Sequence, residues 1–199
     1  MTFAALRRAF GSERGAATVE LVVFAPFLMA FMATFISVWD AFRTANLSLY
    51  ASYTVADHLS RKEDVIGPDD VEELGRLFAF LVPNAATSAV RVTVLERRLD
   101  ALDQPETVWV DSWSSDEDLA PKTTEVDDVI AHVPVLAVGK RIYITEAFTD
   151  WVPIYGPDII PGRLIHHVAA TPPRFGTPKT QGEKDAEEAA MANPDVDGV

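Results

Sequence analysis

The chain has 199 residues, no cysteine, and a formal charge of −13 from 30 acidic against 17 basic residues. That length suits one ordinary domain with an accessory segment. The missing cysteines exclude disulfides, thiolate metal sites and cysteine nucleophiles. So acidic a chain is also a poor ligand for nucleic acid, whose phosphates need Lys and Arg. Arg7, Arg8 and Arg14 against Glu13 make residues 1–15 +2, which leaves −15 on everything after Gly15.

Residues 21–39 (LVVFAPFLMAFMATFISVW) hold no charge. As a helix they span about 28 Å, close to the ~30 Å hydrocarbon core of a bilayer. Only Thr34 and Ser37 interrupt the run, and a helix can bond their hydroxyls to its own carbonyls. Pro26 is tolerated in a transmembrane helix near an end or as a kink. The run outlasts the 7–15 residues of a secretory h-region, and no small-x-small triplet precedes a plausible mature start. A membrane-spanning helix is therefore expected here. With three arginines before it and an acidic chain after Asp40, the positive-inside rule puts the N-terminus in the cytoplasm and the body outside.

Glu20 stands at the edge of this run. An ionisable group there is a functional candidate by default; the plain alternative is a first-turn acid at headgroup level, favoured by the helix dipole. The wider pattern is more specific. A short basic leader ends in Gly15, four small or neutral residues follow (Ala16, Ala17, Thr18, Val19), then Glu20, then the apolar helix. This resembles the type IV prepilin pattern, and VELVVFAPFL, with Pro26 six residues beyond Glu20, resembles the TadE/TadG-like family of tight-adherence (Tad) pilus systems.

The resemblance implies a minor pilin, or pseudopilin, of a Flp-type pilus that serves surface adherence. A prepilin peptidase would cut between Gly15 and Ala16. The Glu20 carboxylate would then pair with the new amino group of a neighbouring subunit, setting the register of assembly. Pro26 would kink the membrane helix. Implied partners are the peptidase, other minor pilins, the major Flp pilin and the inner-membrane assembly platform. The implied location is the bacterial inner membrane, single-pass, with a periplasmic C-terminal domain and a possible place in the extracellular filament. Leu21 departs from the major pilins, which carry Tyr or Phe after the glutamate and are far shorter. The von Willebrand-type domain of large TadG-like members is missing. Glu146 with its following aromatics, and the closing PPR, are loosely similar to the family's C-terminal half.

Trp39, Phe42, Leu49, Tyr53, Ala56 and Leu59 recur at helical spacing, with Asn46 the one polar residue on the stripe. The spacing predicts that the helix continues to about Arg61 and packs this stripe against the domain that follows. GPDD at 67–70 marks a helix start, and Val71, Leu74, Leu77, Phe78 and Leu81 give it one apolar face before Pro83.

Beyond Pro83 the period becomes two. Val90, Val92 and Val94 mark a first strand. Residues 107–113 make a second, with Val108 and Val110 on one face and Trp109, Asp111 and Trp113 on the other. Residues 140–153 and 162–171 make a third and fourth, and residues 126–133 one helical turn or two. The expected fold is α+β, pilin-like, with an antiparallel sheet of about four strands. Domain bounds follow: leader 1–15, membrane-spanning helix 16–61, periplasmic domain 62–171, and a disordered, Pro-, Gly- and charge-rich tail at 172–199.

Chemistry is sparse. The loop 112–128 gathers Asp116, Glu117, Asp118, Glu125, Asp127 and Asp128 against Lys122, without the calcium spacing of an EF-hand. His166 and His167 are adjacent, so on a strand they face opposite ways and cannot share an ion, and His58 and His132 lack a ligand-spaced partner. No G-x-S-x-G, P-loop, G-x-G-x-x-G or H-E-x-x-H occurs. No enzyme, cofactor or metal is expected. The alternative to the pilin reading is an uncleaved, membrane-anchored periplasmic binding or adhesion module.

Overall fold

In a computed structural model of the chain, the described residues are 13–123, 129–156, 160–176 and 179–192, with the backbone alone described for 13–18 and 192. They form an α+β protein with a long apolar N-terminal helix, a short second helix and a four-stranded antiparallel sheet. The chain divides into two compact units, Met1–Phe42 with Pro153–Pro161, and Arg43–Val152 with Gly162–Val199.

Helix α1, Glu13–Ser60, holds 48 residues and is therefore about 72 Å long. In the first unit its large apolar side chains, from Leu21 through Phe24, Phe31 and Phe35 to Phe42, are exposed. The positions it buries there are small or polar, Ser37 and Asp40. Thr34 Oγ1 donates to Ala30 O at 2.9 Å, the local back-bond expected of a membrane-helix hydroxyl. Ser37 departs from that expectation and donates to Tyr155 O at 3.1 Å.

The second unit is built on strands β1 (Thr87–Leu99), β2 (Pro105–Ser114), β3 (Arg141–Trp151) and β4 (Arg163–Thr171), in the order β2-β1-β3-β4 and all antiparallel. β1 and β3 pair along their length, setting Val90, Val92 and Val94 beside Ala147, Thr145 and Tyr143 on one face. On that face the C-terminal part of α1 and helix α2 (Pro68–Leu81) bury Ala51, Val55, Leu59, Val71, Leu74 and Phe78 in the main core. α2 forms as its signals predict. Pro68 opens it, Asp69 and Asp70 fill its first turn, and Gly67 N–H donates to Asp70 Oδ2 at 2.9 Å.

Of the predicted stripe on α1, Ala56 and Leu59 are buried but the aromatics are not. Trp39, Phe42 and Tyr53 are 57%, 68% and 56% exposed, whereas Thr44, Ser48, Ala51, Ser52, Val55, Ala56, Leu59 and Ser60 are buried. Size explains it, because a helix lying close on a sheet needs small residues at the contact. Ser48 Oγ meets Thr149 Oγ1 at 2.8 Å, and His167 Nε2 donates to Ala45 O at 3.2 Å. Burial holds the His167 imidazole below its usual pKa, against the opposing pull of that bond. Tyr143, on the same face, is pushed up to about 12 by burial.

Strand β2 corrects a second expectation. Its pairing with β1 shifts between Val94 and Leu95, so Asp111 pairs with Val94 but Trp109 pairs with Leu95. The extra residue, Val110, reverses the alternation, as a bulge does. Trp113 and Val110 therefore share the main core, while Trp109 takes the opposite face and donates Nε1–H to Thr123 O at 3.0 Å. That opposite face packs Leu95, Ile142 and Ile144 beneath Val129, Val133 and Leu136, around a single 3-10 turn at Ile130–His132.

Residues 172–199 were expected as a disordered tail, but their described part is ordered. Helix α3, Gln181–Ala192, starts in a capping box: Thr180 N–H donates to Glu183 Oε2 at 2.9 Å and Glu183 N–H to Thr180 Oγ1 at 3.3 Å. Arg141 on β3 donates Nη1–H to Glu183 Oε2 at 2.7 Å and Nε–H to Glu96 Oε2 at 2.8 Å. The guanidinium holds Glu183 down to about 2. Main-chain bonds join Ile66 to Lys179 and Gln181, and Arg174 to Ser60. These partners are distant in sequence, and composition could not reveal them.

Candidate functional site

The sequence-predicted site lies in the N-terminal half of α1. The backbone is helical from Glu13, so Gly15 and Ala16 both sit within the helix. A peptidase needs an extended strand at the bond it cuts, so cleavage here would require the first turn to unwind. Gly15 lowers that cost, since glycine weakens a helix by roughly 1 kcal/mol relative to alanine. Glu20 follows about 7.5 Å further along the axis and is exposed. Pro26 lies inside the helix, which continues on both sides of it. The proline has no N–H to offer the carbonyl of Val22, four residues earlier.

Around Glu20 the surface is aliphatic and aromatic. Val19, Leu21, Val22, Val23, Phe24, Phe27, Leu28 and Met29 are all exposed. α1 is the one helix among the described residues long and apolar enough to cross a membrane. In a bilayer, a carboxylate at the start of such a surface would stand between the headgroups and the lipid. There it can meet a cation supplied by another chain, and pairing offsets the cost of removing either charge from water. The structure brings Glu20 near Pro26 only as helix neighbours.

A buried charged cluster stands elsewhere. On the sheet face away from α1, Arg91 Nε and Nη2 donate to Glu146 Oε2 and Oε1 at 2.7 and 2.8 Å, and His166 Nε2 lies 3.1 Å from Glu146 Oε1. The Glu146 side chain is 4% exposed. The His166 ring stacks on Phe148 with centroids 4.4 Å apart. Arg91 also donates to Pro121 O at 2.5 Å, tying down the loop that crosses this face. A carboxylate so occupied is a strut between strands rather than a free base. The sequence marks Glu146 only by a loose similarity to the family's C-terminal half, and pairing across β1, β3 and β4 is what gives it these neighbours.

His166 pairs with Phe148 and His167 with Ala147, on opposite faces as adjacent strand residues must be. In the acidic loop Asp116 Oδ1 accepts the N–H groups of Asp118 and Leu119, and Glu117 pairs with Lys122 at 2.7 Å. Glu125, Asp127 and Asp128 lie outside the described residues. Among the described residues no three His, Asp or Glu side chains are grouped to hold a metal ion. No protein-family model, curated protein or solved structure matches this chain.

Proposed function

We propose that the chain is a minor pilin, or pseudopilin, of the TadE/TadG-like kind, a substrate of a prepilin peptidase and not itself an enzyme. The carrying observation is the exposed apolar surface of α1, headed by Glu20 five residues after Gly15 and preceded by a basic leader. Cleavage after Gly15 removes Arg7, Arg8 and Arg14 and leaves a charged amine on Ala16. Glu20 of one subunit then meets such an amine on a neighbour, so that two charges enter the membrane only as a pair. Before the cut, the arginine-rich leader holds the N-terminal end of the helix in the cytoplasm, so that the body lies in the periplasm. Other minor pilins, the major Flp pilin and the inner-membrane assembly platform are the partners of this reading, and adherence is its outcome.

The test is the N-terminal residue of the protein recovered from membranes of cells that make the peptidase. Ala16 is expected, and Gly15→Leu should leave the uncut chain. Glu20→Gln should still be cut but lose co-purification with partner pilins. A wild-type chain that keeps its leader overturns the reading. It would leave the second one, an uncleaved single-pass binding module, which the helical backbone across Gly15 and Ala16 favours.

A further inference from the structure

We propose that the residues that follow β3, Pro153 to Gly156, are a second membrane element: Ile154 and Tyr155 enter the lipid interface at the Trp39 end of the apolar helix. The proposal rests on residues 21–39 crossing a bilayer, and on nothing in the pilin assignment.

Depth comes first. Ser37 lies sixteen residues after Leu21, about 24 Å along the axis, and only about 3 Å short of Trp39, in a hydrocarbon layer of about 30 Å. Any segment bonded to Ser37 therefore sits at the lipid boundary. Tyr155 is bonded to it twice: Ser37 Oγ donates to Tyr155 O at 3.1 Å, and Tyr155 N–H donates to Ser37 Oγ at 3.4 Å. One hydroxyl, donating once and accepting once, closes both main-chain groups of the residue.

That closure is what lipid demands. Irregular backbone is tolerated at membrane depth only where its polar groups are satisfied within the protein. Gly156 continues the pattern, accepting from Ile160 N–H at 2.8 Å and turning the chain at φ +66°. A loop built for water would instead leave its main chain hydrated and turn polar side chains outward. Here Ile154 is 58% and Tyr155 50% exposed, an aliphatic and an aromatic side chain left uncovered. Tyrosine and tryptophan favour the headgroup level, and Tyr155 and Trp39 stand at the same end of the apolar run. Asp158, the one charged residue between Pro153 and Pro161, lies outside the described residues.

The chain lacks cysteine, so single thiols can be placed at will. Full-length Leu28→Cys, Ile154→Cys and Leu102→Cys proteins, each carrying the same environment-sensitive fluorophore, are reconstituted in phosphatidylcholine vesicles. They are then exposed to a spin-labelled lipid or to iodide. Leu102, in the β1–β2 turn, is the aqueous reference, and Leu28 the lipid one. The expected result is that position 154 follows position 28, with at least about threefold stronger lipid quenching than position 102 and little iodide quenching. If position 28 is quenched by lipid but 154 behaves like 102, the loop proposal fails while the membrane helix stands. If position 154 is shielded from both quenchers, protein covers it and the proposal also fails. Iodide quenching at position 28 removes the membrane helix, and the proposal with it.

Discussion

Helix α1 leaves Phe24, Phe31 and Phe35 exposed in its N-terminal half, yet buries Val55, Ala56 and Leu59 in its C-terminal half. The hydrophobic effect acts on both, but the surroundings differ. In the C-terminal half the sheet and α2 supply a protein interior, so one narrow face of small residues is buried and the aromatics Tyr50 and Tyr53 turn outward. From Leu21 to Ile36 the circumference is apolar but for Thr34, a composition suited to lipid as solvent. A residue's type therefore says less about its burial than the medium that the rest of the chain provides.

The comparison can be broken at its strongest point by truncating the interior. Phe78→Ala should cost about 3–5 kcal/mol, because the ring is fully buried between α2 and the sheet. Denaturant unfolding of the detergent-solubilised chain measures it, and a loss below about 1 kcal/mol would deny α2 its place in the core. The converse substitution sharpens the other half. Phe31→Arg should cost about 3 kcal/mol of membrane insertion. It should lower the membrane-integrated fraction in a translation assay and leave the unfolding midpoint of the second unit unchanged.

A smaller effect separates an ordered C-terminal segment from a loose one. The fold holds Glu183 down to about 2 against an ordinary 4.5, so its contribution is fully present above about pH 4.5 and is lost as pH falls toward 2. With the carboxylate partly exposed, that contribution is on the order of 1–2 kcal/mol. Glu183→Gln should flatten the stability profile across that window, and an unchanged profile would detach α3 from Arg141. Smallest of all, Phe42→Ala should shift the unfolding free energy by no more than about 0.5 kcal/mol, since the ring meets no interior. A loss near that of Phe78→Ala would restore the predicted aromatic stripe.

Local signals were legible wherever a period or cap acts within a few residues. The alternating valines at 90, 92 and 94 lie in β1, and Pro68, Asp69 and Asp70 open α2. The start of α3 was equally open to reading: T-Q-G-E at 180–183 is a capping-box pattern ahead of an alanine- and glutamate-rich stretch, outweighed by the Pro, Gly and charge around it. Of the candidate site, Gly15, Ala16, Glu20 and Pro26 are read from linear spacing alone. Ser37 and Tyr155, 118 residues apart, are not, because nothing local to either names the other.

Sequence alone determined the long apolar helix, its basic flank, the acid at its start and the change from a helical to a two-residue period after Pro83. These follow from side-chain chemistry repeated at short range, which a chain displays before it folds. The tertiary structure decided which face of α1 is buried, which side Trp113 takes after the bulge at Val110, and how Arg141 gathers Glu96 and Glu183. It also decided that Ser37 bonds Tyr155 instead of its own helix. Each depends on close approach between segments far apart in the chain, where room for a small residue or the reach of a guanidinium outweighs local preference.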